Sequence, residues 1–493
     1  MKRTALVLLA TVTTVACERP TAPEVEAQVP LPSFSLVQDV SVTDLGVPGG
    51  GADSDARFVS SLGHVVVQSA IPPDAKTGEP AYRAFLWETG TITDLGTLGG
   101  ASTLALGLNQ LGQVVGWSAN LDGLPQAFLS QVGEKVNIVA LGVGGAAEQL
   151  PSSVATAINS LGQVVGAWAT PRRGAAFLWE AGRETDLGGI QGGPTYPTAI
   201  NDLGQIVGSS GPAGGDIHAF LWEAGSIRDL GTLGGTSSEA VAVNNLGQVV
   251  GTGTTAAGEL HAFLWEANTM TDLGTLGGGF SQAVAVNHLG QVVGSSRTGG
   301  GQLHAFLWQA GTMMDLGTLG GGSSRALAVN DLGQVVGGST TDRGDVHAYL
   351  WQTGSMTDLG TLGGPSSEAL AVNDLGLVAG WATTAGGDAH AVLWTVTLRP
   401  ATPEEEVTVL EDAVTNLVGD GSLSDAQSQP LLASLDVATR LLNAGNAAGA
   451  ARLLEAFVRQ VEALVRAGIL PAEDGDRLIA AARNAIGQLG GTP

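Results

Sequence analysis

The sequence has one cysteine and few positive charges. Cys17 is the only cysteine in 493 residues, so an intramolecular disulfide is excluded. Lysines and arginines total 21 against 46 aspartates and glutamates, and the formal net charge is −25. A surface of this sign repels nucleic acid and anionic membranes. We therefore expect no nucleic-acid partner, and membrane contact only through an N-terminal lipid.

The apolar segment at the N-terminus is short. It runs from Thr4 to Ala16, behind the positive pair Lys2 and Arg3, whereas a membrane-spanning helix needs about 20 apolar residues. A positive start and a short apolar run that ends in small residues are typical of a secretory signal peptide. We predict a signal peptide over residues 1–17 and export to the cell envelope or the extracellular space.

The end of this segment, Val15-Ala16-Cys17, resembles a bacterial lipoprotein signal. The resemblance implies that Cys17 is acylated and becomes the first residue of the mature protein. Thr14 departs from it, because such signals usually carry leucine at that position. The alternative is ordinary cleavage after Ala27 and full secretion. Residues 18–37 hold four prolines without an apolar period, which predicts an extended tether.

A sequence repeat of 43 residues occupies most of the chain, together with 74 glycines that indicate many tight turns. The triplet Asp-Leu-Gly begins at Asp44, Asp94, Asp186, Asp229, Asp272, Asp315 and Asp358, with a degenerate copy near Leu141. The motif Asn-x-Leu-Gly begins at Asn109, Asn159, Asn201, Asn244, Asn287, Asn330 and Asn373. The run Ala-Phe-Leu-Trp, or a close variant of it, ends at Trp87, Ser130, Trp179, Trp222, Trp265, Trp308, Trp351 and Trp394, which gives eight units.

Each unit is predicted to contain four short strands. In the unit around residue 250 these are 240–243, 248–250, 261–265 and 270–273, with the Asn-x-Leu-Gly turn after the first. Asn and Gly tolerate positive φ in tight turns. Aromatic and β-branched residues favour strands, and no segment of the repeat is long enough for a helix.

Four antiparallel strands in 40–45 residues are typical of a β-propeller blade. We predict a mainly β fold over residues 38–399, an eight-bladed β-propeller, with a seven-bladed ring as the alternative. A parallel β-helix is the rival architecture, but its coils are usually shorter and lack hairpins. An extra fourth-strand motif at 42–46 precedes the first full unit. We expect it to complete the last blade and to close the ring.

The tandem motifs His-Ala-Phe-Leu-Trp, Asp-Leu-Gly-Thr-Leu-Gly-Gly and Asn-Asp-Leu-Gly-Gln-Val-Val-Gly resemble the bacterial extracellular HAF repeat family over residues 42–394. The resemblance implies an exported bacterial protein and no common ligand. The second unit departs most, because Ser130 replaces the tryptophan.

The composition changes after residue 399, where glycine becomes rare and leucine, alanine and glutamate increase. Helices are predicted over 404–418, from about 430 or 424 to 443, over 447–467 and over 471–489. Residues 454–461 and 470–482 resemble the FIMAH domain of bacterial exported proteins. The resemblance implies a helical accessory or interaction domain over 404–490.

Histidine, tryptophan and aspartate recur in register and are predicted to be structural residues of the repeat. These signature residues are His218, His261, His304, His347, His390, Trp222, Trp265, Trp308, Trp351, Trp394, Asp229, Asp272, Asp315 and Asp358. A histidine whose ring nitrogen bonds either a backbone group or the aspartate of its own repeat is the structural interpretation, and a ring of metal ligands is the alternative. An acid repeated in every unit fits a turn better than the single pair of a glycoside hydrolase.

No catalytic constellation stands out, so we predict a binding or scaffold module and no enzyme. We find no Gly-x-Ser-x-Gly, no phosphate-binding loop, and no cysteine left for catalysis after export. The loops 69–82, 118–125 and 252–260 differ while the strands repeat, and variable loops on a rigid scaffold commonly carry binding. An unknown glycan or protein is the expected partner, with no cofactor or metal. A propeller-type glycan hydrolase or lyase and a purely structural envelope protein are the alternatives.

Overall fold

The computed structural model describes residues 35–72, 78, 81–131, 137–141, 152–169, 174–212, 214–419, 423–470 and 472–490. The predicted signal peptide, Cys17 and residues 18–34 of the predicted tether lie outside these ranges. The first strand, β1, is Ser35–Gly46. Residues 35–37, which the sequence analysis assigned to the tether, are therefore part of a strand, because they pair with the end of the last strand of the repeats.

Four-stranded antiparallel units follow along the chain. Unit 1 comprises β2 (Ser54–Val59), β3 (Val65–Ile71), β4 (Ala81–Glu88) and β5 (Thr91–Asp94). Unit 2 comprises β6 (Gly99–Leu108), β7 (Val114–Asn120), β8 (Pro125–Gln131) and β9 (Asn137–Ala140). Unit 3 comprises β10 (Ser153–Ile158), β11 (Val164–Ala169), β12 (Gly174–Glu180) and β13 (Arg183–Asp186). Unit 4 comprises β14 (Thr195–Ile200), β15 (Ile206–Ser210), β16 (His218–Glu223) and β17 (Ser226–Asp229).

The remaining units repeat this arrangement. Unit 5 comprises β18 (Gly234–Val243), β19 (Val249–Thr255), β20 (Leu260–Glu266) and β21 (Thr269–Asp272). Unit 6 comprises β22 (Gly277–Val286), β23 (Val292–Thr298), β24 (Leu303–Gln309) and β25 (Thr312–Asp315). Unit 7 comprises β26 (Gly320–Val329), β27 (Val335–Thr341), β28 (Val346–Gln352) and β29 (Ser355–Gly360). Unit 8 comprises β30 (Gly363–Val372), β31 (Leu377–Thr384), β32 (Ala389–Pro400) and β1.

Within units 1 to 7, strands that are consecutive in the chain pair with each other, and unit 8 adds β1 beside β32, which makes the fold mainly β and propeller-like. Units 5 and 6 are further joined by a parallel bridge between Leu260 and Phe280. The first strand of unit 5 is longer than predicted, because the glycines at 234 and 235 continue it. There Gly234 pairs with Thr255. From the sequence alone this strand was predicted to begin at residue 240.

The ends of the repeat region meet in one sheet. β1 pairs antiparallel with β32 in a register that runs from Ser35↔Pro400 to Gly46↔Ala391. The first strand of unit 1 also packs against unit 8, where the Ala391 N–H donates to Ser54 Oγ at 2.7 Å. Unit 8 thus includes the N-terminal strand and contacts the first unit.

The apolar core of the repeats lies between neighbouring units. In unit 5, Phe263 and Trp265 pack on Leu221 of unit 4, whereas Leu264 packs on Phe306 of unit 6. Alternate residues of the third strand therefore face opposite neighbours, as the period of a strand dictates. Each buried Phe or Trp contributes roughly 1.5–3 kcal/mol through burial. Unit 2 differs, because the buried Ser130 accepts a hydrogen bond from the Val114 N–H at 2.6 Å.

The C-terminal region contains α1 (Pro403–Gly419), α2 (Asp425–Asn443), α3 (Ala447–Arg466) and α4 (Ala472–Gln488). The second helix begins at the earlier of the two predicted positions, because Ser424 and Gln427 form a capping box. The helices share one core, in which Leu435, Leu454 and Phe457 are fully buried. Within the described ranges, no helix combines the length and the apolarity needed to cross a membrane.

Candidate functional site

The Asn-x-Leu-Gly motif forms the turn after the first strand of units 2 to 8, and unit 1 has Ser60 in place of the asparagine. In unit 5, Asn244 Oδ1 accepts hydrogen bonds from the N–H groups of Leu246 and Gln248, both at 3.0 Å. Gly247 adopts a φ of 77°, but Asn244 does not adopt a positive φ. The predicted tight turn therefore uses positive φ at the glycine alone, and the asparagine side chain shapes the turn by accepting backbone hydrogen bonds.

The same asparagine side chain joins each of units 2 to 8 to the unit that follows it, with unit 1 following unit 8. Asn244 Nδ2 donates to the carbonyl oxygen of Asn287 at 2.9 Å. Equivalent bonds connect further units, and the last of them joins Asn373 Nδ2 to the carbonyl oxygen of Ser60 at 2.8 Å. These bonds start at Asn109, Asn159, Asn201, Asn244, Asn287, Asn330 and Asn373.

The asparagine turns surround a cavity of about 310 Å³, here called the mouth cavity. Residues from units 1 to 6 line it, including Asn109, Asn201 and Asn244. The variable residue of each turn adds a polar rim, on which the Asp202 N–H donates to Asn245 Oδ1 at 3.0 Å. One cavity bordered by six units indicates that the first strands face a common axis.

The five signature histidines each contact an aspartate of the repeat. His261 Nδ1 lies 2.8 Å from Asp272 Oδ2. The same contact joins His218 to Asp229, His304 to Asp315, His347 to Asp358 and His390 to Asp44, all at 2.7–3.0 Å. In the part of the chain that the structure describes, no three His, Cys, Asp or Glu side chains are grouped as ligands of one metal ion.

The signature aspartates and tryptophans have separate local environments. Asp272 Oδ1 accepts the Gly274 N–H at 2.8 Å and so caps the turn that leaves the fourth strand. Gly231, Gly317 and Gly360 bond Asp229, Asp315 and Asp358 in the same way. Four of the signature tryptophans are buried and Trp308 is half-buried: Trp222, Trp265, Trp351 and Trp394 are 0–7% exposed.

A buried hydroxyl that the sequence analysis missed connects neighbouring units. Ser238 Oγ accepts the Ala219 N–H of unit 4 at 2.8 Å and donates to the carbonyl oxygen of Gly231. Every unit carries serine or threonine at this position: Ser54, Thr103, Ser153, Thr195, Ser238, Ser281, Ser324 and Ser367. Its recurrence every 43 residues in the last four units was a readable signal.

The residue that follows this serine or threonine differs between units, although the residues on either side of it are nearly constant. Its position is occupied by Asp55, Leu104, Val154, Tyr196, Glu239, Gln282, Arg325 and Glu368, and the next position is alanine in every unit except unit 4, which has Pro197. Each of these residues pairs across the sheet with Gln68, Trp117, Ala167, Ser209, Thr252, Ser295, Gly338 and Trp381, respectively. We call these two positions the variable pair.

A cleft of about 330 Å³ lies between unit 8 and unit 1, and we call it the junction cleft. Members of the variable pairs line it, namely Trp381 from unit 8 and Asp55 and Gln68 from unit 1. Arg57 and Tyr82 of unit 1 also line it. Arg57 Nε and Nη2 bond the two carboxylate oxygens of Asp55 at 2.8 and 3.1 Å.

Residues 407–487 match the FIMAH domain family, which agrees with the resemblance of the helical region. No curated protein sequence matches the chain. Among solved structures, the chain is similar to the acylaminoacyl peptidase of Pyrococcus horikoshii, with 11% identity, a TM-score of 0.40, and coverage of 67% of this chain. The chain spans 57% of the length of that peptidase.

Two further solved structures are similar. The β-propeller domain of the Trilobed protease from Pyrococcus furiosus has 12% identity and a TM-score of 0.40, with coverage of 62% of this chain and 96% of that one. The Aleuria aurantia lectin in complex with a fucosyl-GlcNAc disaccharide has 10% identity and a TM-score of 0.26, with coverage of 60% and 94%. Because these TM-scores are low, the similarities carry no argument about the fold, which is assigned from the strand pairing of this chain.

Proposed function

We propose that this protein is an exported binding module of the HAF repeat type, in which a closed eight-bladed ring presents a binding surface and the helical FIMAH domain is an accessory. The ligand is a glycan or a protein outside the cell. The observation that carries the proposal is the variable pair, because a constant hydrogen-bonded scaffold with differing side chains at one position is expected of a recognition surface.

The closed ring is supported by contacts between unit 8 and unit 1. Asn373 bonds Ser60 as each earlier asparagine bonds the following unit. β1 supplies the fourth strand of unit 8, and Asp44 on it is the partner of His390. Each unit has its own four strands, which favours eight blades over seven.

Binding is preferred over catalysis because the acids and histidines of the repeat are engaged with each other. His304, for example, lies against Asp315 at 2.8 Å, and Asp315 also accepts the Gly317 N–H. A hydrolase would require a pair of carboxylates in one cleft that differs from its copies in the other units. The structural interpretation of the signature residues is therefore retained in the proposal.

Export and lipid attachment at Cys17 belong to the same proposal. They are inferred from residues 1–17 and place the module in the cell envelope or outside the cell. Mass spectrometry of the mature N-terminus tests them. A diacylglycerol adduct on Cys17 is expected, whereas a free start near Gln28 would contradict lipidation and leave export in place.

A glycan array and a panel of immobilised envelope proteins, probed with residues 35–490, test the binding function. We expect reproducible, saturable binding to at least one surface. A matched control carries serine at the variable-pair positions that are not buried and keeps Gln68, Gly338 and Glu368, which preserves the asparagine turns, the hydroxyl contacts and the buried bonds of Gln68. This control should lose the binding and keep its strand content by circular dichroism.

Two outcomes would contradict the proposal. Release of reducing ends from a polysaccharide would indicate a hydrolase or lyase. If neither the protein nor its control binds to any of the tested glycans or proteins, a purely structural envelope protein is indicated.

A further inference from the structure

We propose that the junction cleft is a saccharide site that takes one neutral sugar ring, with Trp381 as its stacking platform. The inference deepens the proposed binding function and rests on it. The cleft volume of about 330 Å³ lies at the lower end of the range of roughly 300–1,000 Å³ for small-molecule sites. It is therefore suited to a single ring and not to a folded segment of a protein.

The two aromatic residues supply the apolar part of the site. Trp381 is half-buried and Tyr82 is 41% exposed, so each presents ring surface to the cleft. A pyranose has a face of C–H groups and an edge of hydroxyls, and aromatic side chains combine a flat apolar surface with a polar atom. The ring faces match the C–H side of a sugar.

Arg57 and Asp55 supply the polar part. The guanidinium has five N–H donors, of which two bond the carboxylate of Asp55. The remaining donors of Arg57 and the remaining lone pairs of Asp55 stand side by side. Such a pair can donate to one hydroxyl and accept from its neighbour on the same sugar edge. The exposed fractions of the two side chains, 38% and 27%, leave them accessible from the cleft.

Unit 1 differs from the other units at the position that carries this arginine. Arg57 is the extra residue of a β-bulge, where the pairing shifts between Ala56 and Phe58. The same bulge occurs in every unit, so the backbone directs this position alike in all of them, and only the arginine distinguishes unit 1. The equivalent residues are all uncharged: Leu106, Thr156, Thr198, Val241, Val284, Leu327 and Leu370.

The charges around the cleft favour a neutral ligand. Asp53 and Asp55 face a single cation, Arg57, in the lining, so the site is not positive. The whole chain carries a formal charge of −25. An anionic sugar, a phosphate or a nucleotide would be repelled at long range as well as in the cleft. The ligand class is therefore a neutral hexopyranose at the end or the branch of a glycan.

Titration of residues 35–490 with methyl glycosides of glucose, galactose, mannose, fucose and N-acetylglucosamine, read by saturation-transfer NMR and calorimetry, tests the site. We expect at least one of them to bind with a Kd on the order of 1 mM or below. Methyl glucuronide is the anionic probe, and Nα-acetyl-arginine methylamide is the probe for a basic side chain of a protein ligand. Neither should bind.

The variants identify the cleft as the site of binding. Trp381→Ala and Arg57→Ala should each weaken the binding by about tenfold or more, as loss of a buried anchor does. Trp117→Ala is the matched control, because Trp117 holds the same variable-pair position in unit 2 but does not line the cleft. It should change the affinity less than about twofold.

Three results would overturn the saccharide site. These are no glycoside binding at 20 mM or so, equal losses in Trp381→Ala and Trp117→Ala, and binding of the arginine probe alone. The experiment distinguishes a failure of the saccharide-site proposal from a failure of the proposed binding function. If Trp381→Ala retains binding on the glycan array or to an envelope protein, the module binds elsewhere and only the cleft is excluded.

Discussion

One asparagine side chain in each of seven units both shapes a turn and joins two units. Asn244 Oδ1 accepts two backbone N–H groups within its own turn, while Nδ2 reaches the Asn287 carbonyl oxygen of the next unit. Aspartate could accept the same turn bonds but has no N–H to donate. The side chain is buried, so the loss of either function would leave polar backbone atoms without partners.

A second residue of interest, Glu406 on α1, lies in the helical domain. Its side chain is fully buried, and neither carboxylate oxygen has a hydrogen-bond partner among the described residues. Burial raises the pKa of Glu406 to about 7, because the charged form loses its hydration. The folded state therefore holds this proton more tightly than the unfolded state does.

The pH dependence of stability follows from that direction. Below pH 4.5, the ordinary pKa of a glutamate, the group is protonated in both states and imposes no cost. Stability is lost as the pH rises from about 4.5 to about 7 and stays lowered above it. We expect Glu406→Gln to stabilise the helices by roughly 1–3 kcal/mol at pH 8 and to have little effect at pH 4.5.

Urea unfolding followed by circular dichroism at 222 nm measures this difference at the two pH values. Glu404→Gln is the control, because Glu404 is exposed on the same turn of helix. It should change stability by a few tenths of a kcal/mol at either pH. Equal stabilisation by Glu406→Gln at both pH values would exclude charge burial as its cause.

At the scale of strands and turns, the serine or threonine before the variable pair connects units that have no continuous ladder between them. Ser238 satisfies the Ala219 N–H and the Gly231 carbonyl of the preceding unit. We expect Ser238→Ala to cost about 1–3 kcal/mol, because it leaves buried backbone groups unsatisfied. Denaturant unfolding read by tryptophan fluorescence measures it, since all ten tryptophans lie between residues 87 and 394.

Ser237→Ala is the matched control for this substitution. Ser237 is adjacent and half-buried, and its backbone N–H bonds Thr254 Oγ1. The control should stay within about 0.5 kcal/mol of the parent. A loss in Ser237→Ala as large as that in Ser238→Ala would mean that the hydroxyl contacts between units are not the cause.

The sequence predicted where the strands lie better than it predicted their first and last residues. Alternation of Phe and Trp with Ala and Leu was enough to locate β20, because each face of a strand meets a different neighbour. The start of β18 was missed, since glycines 234 and 235 look like a turn and become strand only through pairing with β19. That boundary is set by tertiary contacts, which the local preferences of the residues do not predict.

For the whole molecule, β1 is the element on which the proposed ring closure depends. It pairs with β32 over its length, and Leu45 on it is 8% exposed in the core between units 8 and 1. A chain that begins at residue 47 should lose at least about 5 kcal/mol of stability in the repeats, through lost burial and ladder hydrogen bonds. The fluorescence midpoint should fall, whereas the helical signal at 222 nm should hold.

A synthetic peptide of residues 35–46 provides the control for this deletion. Added in excess, it should raise the fluorescence midpoint of the truncated chain, because it can occupy the free edge of β32. A peptide with Leu45→Asp should not. An unchanged midpoint on deletion would show that β1 does not hold the repeats together.

The candidate site could not be predicted from the sequence. The junction cleft combines Trp381 and Asp55, which are more than 300 residues apart and meet only because units 8 and 1 are neighbours. From the sequence, specificity was expected in the loops, where the units differ visibly. The variable pair lies instead within strands, whose pairing register could not be read from the sequence.

The pairing of β1 with β32 also determines how the molecule would respond to tension. Ser35 and Pro400 are partners in the register, so the segments before and after the repeats leave the sheet at the same end. A force applied between Ser35 and the helical domain would load this ladder one hydrogen bond at a time. The strand pair would peel apart before the other units carried any force, which makes it the mechanical weak point of the repeats.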